Sequence, residues 1–112
     1  NNFRKYERRF IFMSKMPKDK ILEKMEELLN IASDFTRLKI LYSIANEEKN
    51  VSQIMEEVGA SQSLISHQLK TLRKNHLVDT RKDGHKVFYR LADEHVNKLL
   101  EVVHDHVLEE EK

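Results

Sequence analysis

A chain of 112 residues with glycine at two positions and proline at one has few places to turn sharply. Gly59, Gly84 and Pro17 therefore act as the chain's punctuation. With 35% of residues charged, so few breakers favour helices over a sandwich or barrel. The length supports one domain. Aromatic residues make up 7% and Trp is absent, so the core is expected to be small and aliphatic. The absence of Cys excludes a disulfide framework, a thiolate metal site and a Cys nucleophile, and it fits a reducing cytosol. No apolar run approaches the roughly 18 residues of a membrane span. Phe10 to Met13 is too short for a signal-peptide core. A cytoplasmic protein is the expectation.

Pro17 separates an N-terminal arm, residues 1–17, from a domain expected over 18–112. The arm is basic, with Phe3, Tyr6, Phe10 and Phe12 among the charges. It reads as disordered or as an amphipathic first helix, and no function is assigned to it. From Lys18 the helical period is clear: Ile21, Leu22, Met25, Leu28 and Leu29 share a stripe. Ser33 or Asp34 can cap a second helix burying Phe35, Leu38, Leu41 and Ile44. Ser52 can cap a short third helix with Ile54, Met55 and Val58. Gly59 ends it where a C-cap needs a left-handed residue.

Ser61 opens a fourth helix running to about Lys74. A short helix, a Gly-containing turn and a second helix opening with Ser and Gln form the helix-turn-helix pattern. Ile65, Leu69 and Leu72 face inward at i, i+4, i+7. The opposite stripe holds Gln62, Ser63, Ser66, His67 and Lys70, side chains able to reach base edges and phosphates in a major groove. An ordinary amphipathic helix with a polar outside would show the same period.

Two strand-like runs follow, Leu77 to Lys82 and Lys86 to Leu91, with Asp83-Gly84 as a hairpin signal between them. The tip carries Arg81, Lys82, His85 and Lys86. A basic hairpin directly after a reading helix is a wing, able to add phosphate contacts along the backbone or a minor groove. The charge distribution agrees. Residues 61–90 hold seven basic side chains against Asp79 and Asp83, whereas residues 91–112 hold seven acidic side chains against Lys98 and Lys112. A basic block beside an acidic one points to a polyanion-binding surface with a separate acidic element. The fold class is thus mainly α with a β-hairpin wing, a winged helix-turn-helix.

The stretches SDFTRLKIL (33–41), SQSLISHQLKTLRKNHLV (61–78) and TRKDGHKVFYRL (80–91) resemble the ArsR/SmtB family of metal-responsive bacterial repressors. The resemblance covers about residues 18–110. It implies a homodimer that binds double-stranded operator DNA, an imperfect inverted repeat, when metal-free and releases it when metal binds.

Residues 93–110 read as a last helix with Val96, Leu99, Leu100, Val103 and Val107 on one stripe. On so small a domain, a second copy of the same helix is a simple cover for that stripe, giving a dimer through terminal helices. Asp93, His95, His106 and Glu109 stand out on this helix. His95 and His106 are eleven residues apart, which returns to the same face within about 20° but places them about 16 Å apart along the axis. One ion cannot bridge that span with bonds of about 2 Å. An antiparallel second copy would set His106 and Glu109 of one chain beside Asp93 and His95 of the other, making two symmetric sites.

Two imidazoles and two carboxylates suit tetrahedral Zn2+, and Co2+ would fit similarly. The pattern D-x-H, ten residues, H-x-x-E resembles the zinc-sensing site of the SmtB-like branch. That resemblance also implies a relay from the free ring nitrogen of His106 to a backbone carbonyl near His76. His104 lies about half a turn from His95 on the wheel and is taken as a non-ligand, though it could join an octahedral Ni2+ site. His67, His76 and His85 are read as polar surface residues. An alternative keeps the winged helix and answers to another signal, or to Ni or Co, with no functional zinc site. An enzyme is disfavoured, because four protein ligands leave no open position for a catalytic water and no Gly-rich phosphate loop is present.

Overall fold

The chain forms five helices and one hairpin over residues 15–111, the part that a computed structural model describes. In order these are α1 (Asp19–Ala32), α2 (Phe35–Ser43), α3 (Val51–Val58), α4 (Gln62–Lys74), β1 (Val78–Asp83), β2 (Lys86–Leu91) and α5 (Glu94–Glu110). Of the arm, residues 1–14 lie outside the described residues.

Side-chain caps set most of these boundaries. Ser33 closes α1, its hydroxyl donating to the Asn30 carbonyl at 2.8 Å, while the Asp34 carboxylate accepts from the Arg37 N–H at 3.0 Å and opens α2. The cap expected at Ser52 belongs instead to Asn50. Its side chain accepts from the Gln53 N–H, and its own N–H donates to the Gln53 side chain, each at 2.9 Å. This reciprocal pair satisfies two orphan groups at once, which a Ser two residues later could not do. Gly59 ends α3 with φ +76°, and Ser61 caps α4.

The end of α4 is unusual in carrying a left-handed His76, with φ 61°. The His76 N–H donates to the Arg73 carbonyl and the Leu77 N–H to the Leu72 carbonyl, at 3.1 and 3.0 Å. These two bonds form a Schellman closure, and buried Leu77 and Leu72 supply its apolar contact. The chain is thereby turned out of the helix and into β1.

The hairpin is antiparallel, and its register corrects the expected loop. Asp83 pairs with Lys86 and so belongs to β1, which narrows the loop expected over 83–85 to Gly84-His85. Gly84 takes φ +64° at the first loop position, as a turn with glycine first requires. Lys49 adds a third partner to this small sheet, exchanging both backbone hydrogen bonds with Tyr89 at 3.0 and 2.8 Å.

The core lies where α2, α3 and α4 meet the start of β1. Ile40, Ile54, Ile65 and Leu72 have no exposed surface there, and Leu41, Leu69 and Leu77 have almost none. Phe35, expected inside, is instead 72% exposed, because α2 turns Ile40 and Leu41 into the core and Phe35 lies about 120–140° round the helix from them; the Lys39 ammonium sits 4.8 Å from its ring centre. The two terminal helices differ from the rest. Ile21, Met25, Leu28 and Leu29 of α1 are exposed, and α5 buries Val96 and Leu100 but exposes Val103 and Val107.

Replacing Asn50 with Ala removes the side-chain acceptor of the Gln53 N–H and leaves only the backbone half of the reciprocal cap. It should lower unfolding stability by about 1 kcal/mol in a urea titration, while Ser52→Ala should change it by only a few tenths.

Candidate nucleic-acid interface and metal-ligand set

The aliphatic seam of α4 decides which of its residues face outward. With Ile65, Leu69 and Leu72 buried, Gln62, Ser63, Ser66, His67 and Lys70 are all exposed on the other side. Gln68 is half-buried at the edge of that face, where its side-chain carbonyl accepts from Arg37 Nη1 at 2.8 Å. Arg37 Nε also donates to the Ile31 carbonyl at 2.6 Å. One guanidinium from α2 thus braces the end of α1 and the reading helix together. Sequence inspection missed Arg37, since its partners lie 6 and 31 residues away.

In the wing, Lys82, His85 and Lys86 are exposed around the turn. Arg81 is differently placed. Its Nε donates to Glu48 Oε1 at 2.8 Å, a second guanidinium N–H reaches the same oxygen, and its charge lies 4.9 Å from the Phe88 ring centre. Glu48, also missed in the sequence, therefore shares the cation expected to meet a phosphate. The hydrogen bond from Arg81, reinforced by the charges of Arg81 and Arg90, holds the Glu48 carboxyl below its ordinary range despite some desolvation. The same bond raises the Arg81 guanidinium above its usual value. Lys49 fastens the same loop, pairing with Glu57 at 2.8 Å and donating to the Ser43 carbonyl. The wing base is thus tied to α2 and α3 by charge as well as by the backbone bridge at Tyr89.

The four expected metal ligands lie along α5 and are exposed. Asp93 caps the helix, its Oδ1 accepting from the Val96 N–H at 3.1 Å, and lies 3.7 Å from His95 Nδ1. The His95 side chain is 95% exposed. Capping uses one lone pair of the carboxylate and leaves others able to accept. Toward the other end, His106 Nε2 lies 3.3 Å from Glu110 Oε1, and Glu109 sits nearby on the same helix. His104 lies 3.5 Å from Asp105 and its ring stacks obliquely on Tyr42 at 6.3 Å. Among the described residues, no three His, Asp or Glu side chains of one chain gather closely enough to hold an ion. Each end of α5 thus carries a histidine beside carboxylates, nitrogen and oxygen donors of the types that divalent ions take.

A reading helix seated on a helical core and followed by a basic hairpin defines a winged helix-turn-helix, the architecture of a DNA-binding regulator. The model for bacterial regulatory proteins of the arsR family matches residues 34–80. The chain is 40% identical over 74 residues to the HTH-type transcriptional regulator KmtR of Mycobacterium tuberculosis, covering 66% of this chain and 57% of that protein. It is 37% identical over 87 residues to the transcriptional repressor SmtB homolog of Synechocystis, covering 78% and 66%. The chain thus spans less than two thirds of either relative's length.

Among solved structures, HlyU from Vibrio cholerae matches with a TM-score of 0.73 at 33% identity, over 79% of this chain and 96% of that one. HlyU is a transcriptional activator, 35% identical over 71% of its length. A homodimeric winged helix-turn-helix DNA-binding domain from Mycobacterium bovis matches with a TM-score of 0.75 at 26% identity, over 85% and 91%. The chain belongs to the arsR family of bacterial regulatory proteins, and its fold and relatives are those of regulators rather than enzymes. Among the described residues no helix is long and apolar enough to cross a membrane.

Because the Glu48 carboxyl is held below its ordinary value of 4.5, the clamp on Arg81 stabilises the wing above that pH. That contribution is lost as pH falls through the lowered value. Amide exchange of β1 and β2 should therefore quicken in acid more in the native protein than in Glu48→Gln, which lacks the ionisable clamp at every pH.

Proposed function

We propose that the protein is a homodimeric transcriptional repressor that binds operator DNA when metal-free and releases it when Zn2+ occupies sites shared between subunits. The observation that carries this reading is the exposure, on one chain, of the polar face of α4 beside the basic hairpin tip. The two separated halves of a ligand set on an incompletely covered α5 extend it to metal sensing. In support, one relative is named a repressor and one solved neighbour is a homodimer.

In this reading the exposed apolar faces of α1 and α5 are covered by the partner's terminal helices. Two copies of α4 then enter successive major grooves about 34 Å apart. Gln62, Ser63, Ser66 and His67 address base edges, while Lys70, Lys82, His85 and Lys86 lie against phosphates. Arg81 contributes as far as Glu48 releases it. Asp93 and His95 of one protomer, with His106 and Glu109 of the other, would hold the ion, Zn2+ or the similar Co2+. When bound, the ion supplies a bond between subunits that DNA-competent packing must accommodate. His106 is proposed to donate its remaining ring N–H toward the backbone near His76, since a ligated imidazole ordinarily orients itself with such a bond. The left-handed turn at His76 is where the reading helix ends. Operator DNA must in turn weaken metal binding by the same factor that metal weakens operator binding.

A zinc titration against a DNA site selected by the purified protein from a random pool tests this function. Zinc should bind at two ions per dimer and weaken DNA binding by about 5–150-fold. His106→Ala should lose most of that effect. Full zinc-driven release by that variant would remove the relay and the site together. Electrostatics supply a separate check: Lys82→Gln and Lys86→Gln should each reduce the slope of log affinity against log salt by about 0.9 for every phosphate left without its cation. Arg81→Gln should reduce it less, because that charge is already shared with Glu48.

A further inference from the structure

The shortest helix-to-helix ties outside the core converge on α2. Near its C-terminal end the Tyr42 hydroxyl donates to the Leu100 carbonyl of α5 at 2.6 Å. Leu100 lies midway between His95 and His106, so this bond grips α5 between the two halves of its ligand set. The His104 ring packs against Tyr42 at the same place. Burial and the nearby Asp105 charge both raise the phenol's pKa, which keeps the donated proton in place.

Near the other end, Arg37 holds the Ile31 carbonyl at the close of α1 and the Gln68 side chain of α4, at 2.6 and 2.8 Å. The Ile31 carbonyl is among the last four of its helix, which have no partner within the helix, so a fixed guanidinium is a natural cap for it. Between the two grips, Ile40 and Leu41 are sealed in the core. A one-residue slide of α2 would unpack both, and cores switch between discrete packings rather than deform smoothly. A nine-residue helix pinned this way moves as one body.

We propose that α2 transmits the geometry of the terminal helices to the reading helix, with Tyr42 taking the displacement from α5 and Arg37 passing it to α4 through Gln68. This rests on the metal-responsive reading above and gives it a route within each subunit, separate from any contact of His106 with the end of α4. Tyr42 and Arg37 are positioning residues here. Neither belongs to the ligand set or to the face that meets DNA.

The test compares the native protein with Tyr42→Phe and Gln68→Met, each removing one hydrogen-bonding group at nearly constant shape. Zinc stoichiometry, zinc-free DNA affinity, zinc-loaded DNA affinity and amide exchange are measured for all three. In the native protein, zinc should change exchange in both α5 and α4. In the variants, zinc should still bind and still change α5, but the change in α4 should fade and the zinc-driven loss of DNA affinity should shrink at least about fivefold, the lower end of ordinary coupling. Zinc-free DNA affinity should stay within about threefold of native.

Native coupling in both variants would overturn the route while leaving the metal site standing. A fall in zinc-free DNA binding that merely tracks lost thermal stability would reduce both residues to structural parts and also overturn it. A native protein that binds DNA but ignores zinc would instead sink the metal-responsive reading, and this proposal with it.

Discussion

Burial of one face of α4 is the constraint on which the rest depends. Ile65, Leu69 and Leu72 fill the space against Ile40, Leu41 and Ile54, and each is almost wholly removed from water. Removing any of them would leave a void and forfeit about 2–5 kcal/mol, a large share of what a domain this size has to spare. The helix therefore has one permitted rotation. That rotation puts Ser63, His67 and Lys70 outward without any contact that specifies them directly. The exposed polar face arises here as the complement of a core, and the Schellman turn at His76 then leads the chain into the hairpin.

The domain binds its wing to this frame by polar ties rather than by bulk. The backbone bridge between Lys49 and Tyr89 and the Glu48–Arg81 clamp anchor the hairpin to the loop before α3, and the Lys49–Glu57 pair fastens that loop to α3 itself. Exposed ion pairs of this sort are screened and individually weak. Their value lies in orientation. A two-stranded hairpin is marginal alone, and fastening its base makes its position follow the helical core. Meanwhile α1 and the outer half of α5 keep apolar surface exposed among the described residues. Several exposed apolar side chains on one helix face are the kind of surface through which proteins meet partners.

Much of this was legible in the residues. The inward triplet of α4, a cap for α2 at Ser33 or Asp34, the opening of α4 at Ser61, the left-handed Gly59 and the two strand-like runs follow from rules that act over three or four positions. The misses share a cause. Asn50 displaced Ser52 as the cap because its partner Gln53 gave a reciprocal bond, a choice decided by backbone direction before the helix begins. The loop narrowed from 83–85 to Gly84-His85 because strand register, not the local dipeptide, decides which residues pair. Phe35 lies outside because packing against its neighbours turned the face of Ile40 and Leu41 inward, and Phe35 stands well round the helix from both.

What local order alone determined is the kind of elements, their sequence and the apolar side of each, because those depend on backbone geometry and the spacing of side chains along one helix or strand. What only the packed chain decided is who meets whom across long separations: Arg37 with Gln68, Arg81 with Glu48, Tyr42 with Leu100. Hydrogen bonds are short and directional, so they form only after the core has brought distant segments within about 3 Å. The residues that brace the reading helix and the wing are for that reason the ones that a linear pattern does not announce.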